Sequence, residues 1–205
     1  MPEGIGSGER LGNVFRGARA RRSCSVERQW KSEMSRISRN ALLRAIQAVQ
    51  EMNNEQKLGL AEEIFSSQPN MLGSVLVLPR LGVSAAKQEF VLEILFLCFQ
   101  AMKESALTWP LITEDEQENQ VRRHNILLRF FASLDGESLQ NSSLQQFVDG
   151  HSEQDLLAWV ITKCREWLSK SVREESDKYV LQVAVNLVSC IAFVPMPVTC
   201  SQSIQ

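Results

Sequence analysis

SAAKQEFVLEILFLCFQAMKE, residues 84–104, decides the fold. Wound as a helix with Ser84 as its cap, the stretch places its polar residues Glu89, Glu93, Gln100 and Glu104 in one narrow stripe and apolar residues on the rest of its circumference. Such a helix must be covered on most sides by other helices, so the sequence predicts it as the central element of a bundle.

Working toward the C-terminus, Thr113 and Glu116 form a T-x-x-E capping box, and the helix after it carries Val121, Leu127, Leu128, Phe131 and Leu134 inward before Asp135-Gly136 stops it. Ser152 and Asp155 mark another start, followed by Leu156, Leu157, Val160, Ile161, Cys164, Trp167 and Leu168 on one face. A last helix over about residues 174–193 ends at Pro195 and Pro197. The likeness between residues 90–94 and 179–183 is of the kind two buried helices share, and no period of repeat proteins runs through the chain.

Toward the N-terminus, the Val75-Leu76-Val77-Leu78 run would suit a buried strand, but no second run of that composition offers a partner, and a short helix closed by Pro79 is predicted over residues 71–78. Asn54, Leu58, Ala61, Ile64 and Phe65 give a helix that ends near Pro69. Val26, Trp30, Met34, Ile37, Ala41, Ala45, Ala48 and Met52 recur at three or four residues and predict one long helix from Ser25. The expected fold is all-α, a single compact bundle of six or seven helices over residues 25–194. A basic Gly/Arg-rich arm over residues 1–24 and a tail over residues 195–205 are expected to be disordered.

Composition agrees with one folded domain: 205 residues, 44% hydrophobic and 22% charged. Five of the ten glycines fall within residues 1–17, which leaves the remainder poor in helix breakers. Cys24, Cys98, Cys164, Cys190 and Cys200 form no C-x-x-C pair, so neither a disulfide framework nor a zinc site is expected, and a reducing, cytoplasmic setting is. The two most apolar runs, residues 90–102 and 179–194, fall short of the roughly 20 residues a membrane span needs.

Charge is divided by position. Residues 1–50 carry ten Arg and Lys against four Glu, a net of +6, and residues 51–205 carry twelve against twenty acids, a net of −8. Arg16, Arg19, Arg21, Arg22, Arg28, Lys31, Arg36 and Arg39 are therefore candidate contacts to a phosphate backbone. Only Phe15 and Trp30 interleave with them, too few aromatics for a stacking platform. A different reading removes the arm: Met34 is an alternative start, and residues 1–33 have the Gly/Arg bias of GC-rich untranslated DNA read through. Val26 and Trp30, in phase with the helix that follows, argue against it, and both readings stand.

Signatures of chemistry are sparse. No G-x-S-x-G elbow and no phosphate loop is present, and His151-Ser152-Glu153 lacks the downstream P-C-x-x-C of a zinc deaminase. Glu114, Asp115, Glu116 and Glu118 open a helix, where its dipole favours acids without any metal. No cofactor, metal or catalytic residue is predicted. The expectation is a non-catalytic cytoplasmic helical protein that binds another macromolecule, first a protein, with Trp109, Leu111 and Trp159 as docking residues. Two alternatives stand beside it: a nucleic-acid-associated regulator using the arm, and a helical enzyme drawing on His124, His151 and the acidic cluster.

Overall fold

Residues 35–132 and 137–197 are described by a computed structural model, and they fold into eight α-helices and one 3-10 turn with no strand among them. In chain order the helices are α1 (Arg39–Glu51), α2 (Asn54–Ser67), α3 (Pro69–Leu76), α4 (Ala85–Glu104), α5 (Glu114–Ala132), α6 (Glu137–Gly150), α7 (Gln154–Lys170) and α8 (Asp177–Phe193). The 3-10 turn, Leu78–Leu81, lies between α3 and α4 and ends at Gly82, whose φ of +81° is the left-handed conformation that favours glycine.

α4 is the centre, as its stripe predicts. Seven consecutive residues from Ile94 to Gln100 are buried, which a helix achieves only when neighbours cover every side. α1, α3 and α8 supply those neighbours, and α8 is buried almost as completely from Leu187 to Ala192. At the N-terminal ends of α4 and α8 the Lys87 ammonium bonds the Asp177 carboxylate and lies 3.0 Å from Glu174, above the Trp167 ring that stacks on Phe90 at 4.9 Å. Burial works against the Lys87 charge, but the two carboxylates outweigh it and hold its pKa above the usual value.

Three helix starts and one added helix differ from expectation. The helix expected to run on from Ser25 is interrupted before Arg39, where α1 starts: Ser38 is extended and its Oγ accepts the amide of Ala41 at 3.2 Å, while the amides of Arg36 and Ile37 bond to a side chain. Val26, Trp30 and Met34 lie outside the described residues, as do the arm and the side chains of Leu127, Leu128, Phe131 and Leu134. α6 is an added helix, mostly polar, with Phe147 and Val148 against the core. α7 starts one residue after Glu153, and Ser152 Oγ caps nothing. α8 starts at Asp177 because its Oδ2 accepts the amide of Glu174, turning the chain before the helix. No helix among the described residues is long and apolar enough to cross a membrane.

Candidate functional site

A cleft of about 810 Å³ opens between faces of three helices. α5 contributes Glu114, Gln117, Glu118 and Val121, and α8 contributes Tyr179, Gln182, Val183 and Asn186. Both sets have the i, i+3, i+4, i+7 spacing of one helical face. The opposite wall is α3 and the 3-10 turn, through Asn70, Gly73, Leu76, Val77, Arg80 and Leu81.

Carboxamides pin the walls together. Gln68 donates from Nε2 to the Pro110 carbonyl at 2.8 Å and accepts the Ile112 amide on Oε1 at 2.9 Å, and Asn70 donates to the Ile112 carbonyl at 3.0 Å. These bonds hold the start of α3 beside the start of α5. Gln88 donates to the Val75 carbonyl at 3.2 Å and ties the other end of α3 to α4.

Exposed apolar side chains stand on one side of the cleft, and on its floor carboxamides lie between Val121, Tyr179 and Val183. Leu76 and Leu81 are 54% and 43% exposed, and Val77 is exposed beside them, whereas Val75 and Leu78 are wholly buried. On the floor, Gln117 and Asn186 are buried and Gln182 is half-buried. Asn186, 5% exposed, reaches the Gln117 carbonyl with Nδ2 at 3.4 Å, and its Oδ1 has no hydrogen-bond partner. Glu114 and Arg80 stand toward opposite ends: Asn70 fixes the start of α3 next to residue 112, and Arg80 follows the end of that helix, about 12 Å of rise away. Neither has an ion pair among the described residues.

Of the basic and docking candidates from sequence, those among the described residues lie outside the cleft. Arg16, Arg19, Arg21, Arg22, Arg28 and Lys31 lie outside the described residues. Arg36 turns inward, and its Nη1 donates to the carbonyls of Ile191 and Val194 at 2.8 Å each, closing the C-terminus of α8. Desolvation lowers its pKa, against the pull of the Glu153 charge. Arg39 is exposed and 3.3 Å from Asp155. Trp109 is half-buried and donates from Nε1 to the Met102 carbonyl and Ser105 Oγ, so it covers the end of α4. Leu111 is exposed, and Trp159 is half-buried under the Lys163 ammonium, 5.7 Å from its ring. None of these three lines the cleft.

His124 belongs to α5, with its side chain outside the described residues. His151 is buried among Phe147, Phe193 and Ser189. Its Nδ1 accepts the Glu153 amide at 3.1 Å, so the neutral ring carries its proton on Nε2, facing Ser189 Oγ at 3.5 Å. A nucleophilic serine needs the reverse, an Nε2 lone pair to take its proton. Glu153, 1% exposed, accepts from Ser35 Oγ at 2.6 Å and from the amides of Arg36 and Ile37 at 2.8 and 3.2 Å. Burial raises its pKa, and these bonds with the Arg36 charge oppose the rise.

Among the described residues no three His, Cys, Asp or Glu side chains gather as a metal site; in the acidic cluster Glu116 accepts from Gln120 and Glu118 pairs with Arg122. Cys98, Cys164 and Cys190 are free and buried, and desolvation pushes their thiols up to about 12.

No protein-family model, curated protein or solved structure matches the chain.

The sequence reading missed the cleft, although a signal was present. Four consecutive apolar residues on a helix span all of its sides, so placing Val75 and Leu78 in the core turns Leu76 and Val77 outward.

Proposed function

We propose that this chain is a non-catalytic cytoplasmic protein that acts by binding another protein, and that the cleft between α3, α5 and α8 is its docking surface. The observation that carries this reading is the group of exposed Leu76, Val77 and Leu81 along a concave site whose floor carries carboxamides. Neighbouring apolar side chains left in water beside a pocket are the usual mark of a partner surface. The buried free thiols of Cys98, Cys164 and Cys190 suit a reducing compartment.

The test is selection of a randomised linear nonapeptide display library on the full chain, with a Leu76→Glu/Leu81→Glu double variant as the counter-screen. Both side chains are exposed, so the double variant is expected to keep the wild-type melting curve. Peptides that bind wild type and are lost by the variant support the reading; a library yielding none overturns it.

A second reading rests on the excess of positive charge in residues 1–50 and assigns the arm to nucleic acid. Fluorescence anisotropy of random duplex DNA and single-stranded RNA, across a salt series and with a chain started at Met34, separates the two. Binding by the full chain alone, with a steep salt slope, favours the arm.

A further inference from the structure

We infer that the occupant of the cleft is an extended peptide segment, gripped through its own backbone, with an acidic group toward Arg80 and a basic one toward Glu114. This rests on the docking reading above and adds the conformation and direction of the partner.

The floor decides between an extended and a helical occupant. Gln117, Gln182 and Asn186 line it, and each carboxamide has donors and acceptors of its own. A helix has already paired its backbone groups internally and would lay apolar side chains on this floor, leaving the carboxamides without partners. An extended segment keeps its N–H and C=O groups free along its length and pairs them with such a row. Asn186 has the capacity: its Oδ1 bonds to nothing, and its Nδ2 reaches the Gln117 carbonyl only at the outer limit of a hydrogen bond, so rotating the amide toward the cleft gives up little.

The wall fits the same occupant. Side chains of an extended segment alternate, so one set meets Leu76, Val77 and Leu81 while the other faces solvent. Gly73 lies in the middle of that wall, and nothing stands within 4 Å of where its Cβ would be, which lets a backbone approach α3 closely. The eight residues of α3 rise about 12 Å, a length that about four extended residues cover. Direction comes from the ends, where Arg80 and Glu114 have no ion pair among the described residues. Complementary charges at the two ends of a bound segment fix its register.

The experiment uses peptides recovered from the nonapeptide library, resynthesised with fluorescein and titrated against the full chain. N-methylation of central amides is expected to weaken binding about tenfold or more, because it removes backbone donors. Arg80→Glu is expected to weaken peptides with an acidic end about fivefold and to recover binding when that residue is changed to Lys. Peptides that keep their affinity when N-methylated, or that gain it when locked as helices, overturn the extended occupant and leave the docking surface. The same holds for affinity indifferent to Arg80→Glu, which overturns the assigned direction. A concentration-dependent dimer of the free chain in analytical ultracentrifugation, abolished by Leu81→Glu, gives the cleft to a second copy and overturns the inference. A library with no peptide lost by the Leu76→Glu/Leu81→Glu variant overturns both readings together.

Discussion

Glu153 and Asn186 are both polar side chains carried into the interior, and they have been treated in opposite ways. Glu153 has each carboxylate oxygen occupied, by Ser35 and by the Arg36 and Ile37 amides. Asn186 has one long bond and one bare oxygen. A buried group that is saturated holds architecture together, because removing it strands its donors. A buried group left unsaturated costs stability as it stands, and its retention is better explained by what it meets in use. The first marks the seam where residues 35–37 join α7 and α8; the second marks the cleft.

The largest expected effect lies at the seam. Glu153→Ala leaves the Arg36 and Ile37 amides and the Arg36 guanidinium without their anion, and should cost about 3–5 kcal/mol in urea unfolding. A loss under about 1 kcal/mol would dissolve the contrast by showing that water replaces the carboxylate. Because the native pKa of Glu153 lies above its usual 4.5, the folded state takes up this proton first as pH falls. Stability from this group therefore rises as pH drops from the raised value toward 4.5. Glu104, whose pKa is lowered chiefly by its bond from Arg44, contributes stability above about 4.5 that is lost below it. The difference between wild-type and Glu153→Gln pH profiles isolates the upper window, and a flat difference there would contradict the raised pKa.

Two arginines three residues apart sharpen the same point. Arg36 donates twice to the last carbonyls of α8, and Arg36→Ala should cost about 2 kcal/mol. Arg39 makes an exposed pair with Asp155, and Arg39→Ala should change stability by under about 0.5 kcal/mol. Equal losses in thermal melts would mean that exposure does not separate the two. Any loss of nucleic-acid binding in Arg39→Ala would then be read without a folding defect behind it.

At the cleft the sign reverses. Asn186→Leu keeps the branched shape of the side chain, removes a buried unpaired oxygen and should stabilise the chain by about 1–2 kcal/mol while weakening peptide binding. Destabilisation would show that Asn186 is saturated after all, and the comparison with Glu153 would fail.

Much of this fold was legible because it follows from local pattern. The stripe of residues 84–104 gave the buried centre, Thr113 with Glu116 gave the start of α5 through a bond from the Glu116 amide to Thr113 Oγ1 at 3.2 Å, and Pro195 marked the end of α8. What stayed hidden depends on partners distant in sequence. Nothing near Arg36 announces Glu153, more than a hundred residues away, and that carboxylate joins the Ser38 cap in keeping residues 35–38 out of the helix. α6 escaped because only four of its fourteen residues, Leu139, Leu144, Phe147 and Val148, are apolar, too few to set a face in a stretch of Ser, Gln and Asn. The cleft was hidden for a third reason: the Val75 to Leu78 run predicts a short helix, but not which of its sides the rest of the fold leaves in water.

The smallest effect gives the finest comparison, between two helical glycines. Gly59 in α2 and Gly73 in α3 are both exposed, and an added Cβ at either meets nothing within 4 Å. Replacing each with Ala should therefore stabilise the fold by about 0.5–1 kcal/mol, through helix propensity alone. The folded chain cannot tell these positions apart, but a ligand can, because Gly73 lines the cleft and Gly59 does not. Gly73→Ala should weaken cleft-binding peptides about two- to threefold, by setting a methyl group where their backbone approaches, and Gly59→Ala should leave affinity unchanged. Stability that rises at both sites while affinity falls at one would place the peptide backbone against α3. Equal affinities would move its path away from that wall, toward α5 and α8.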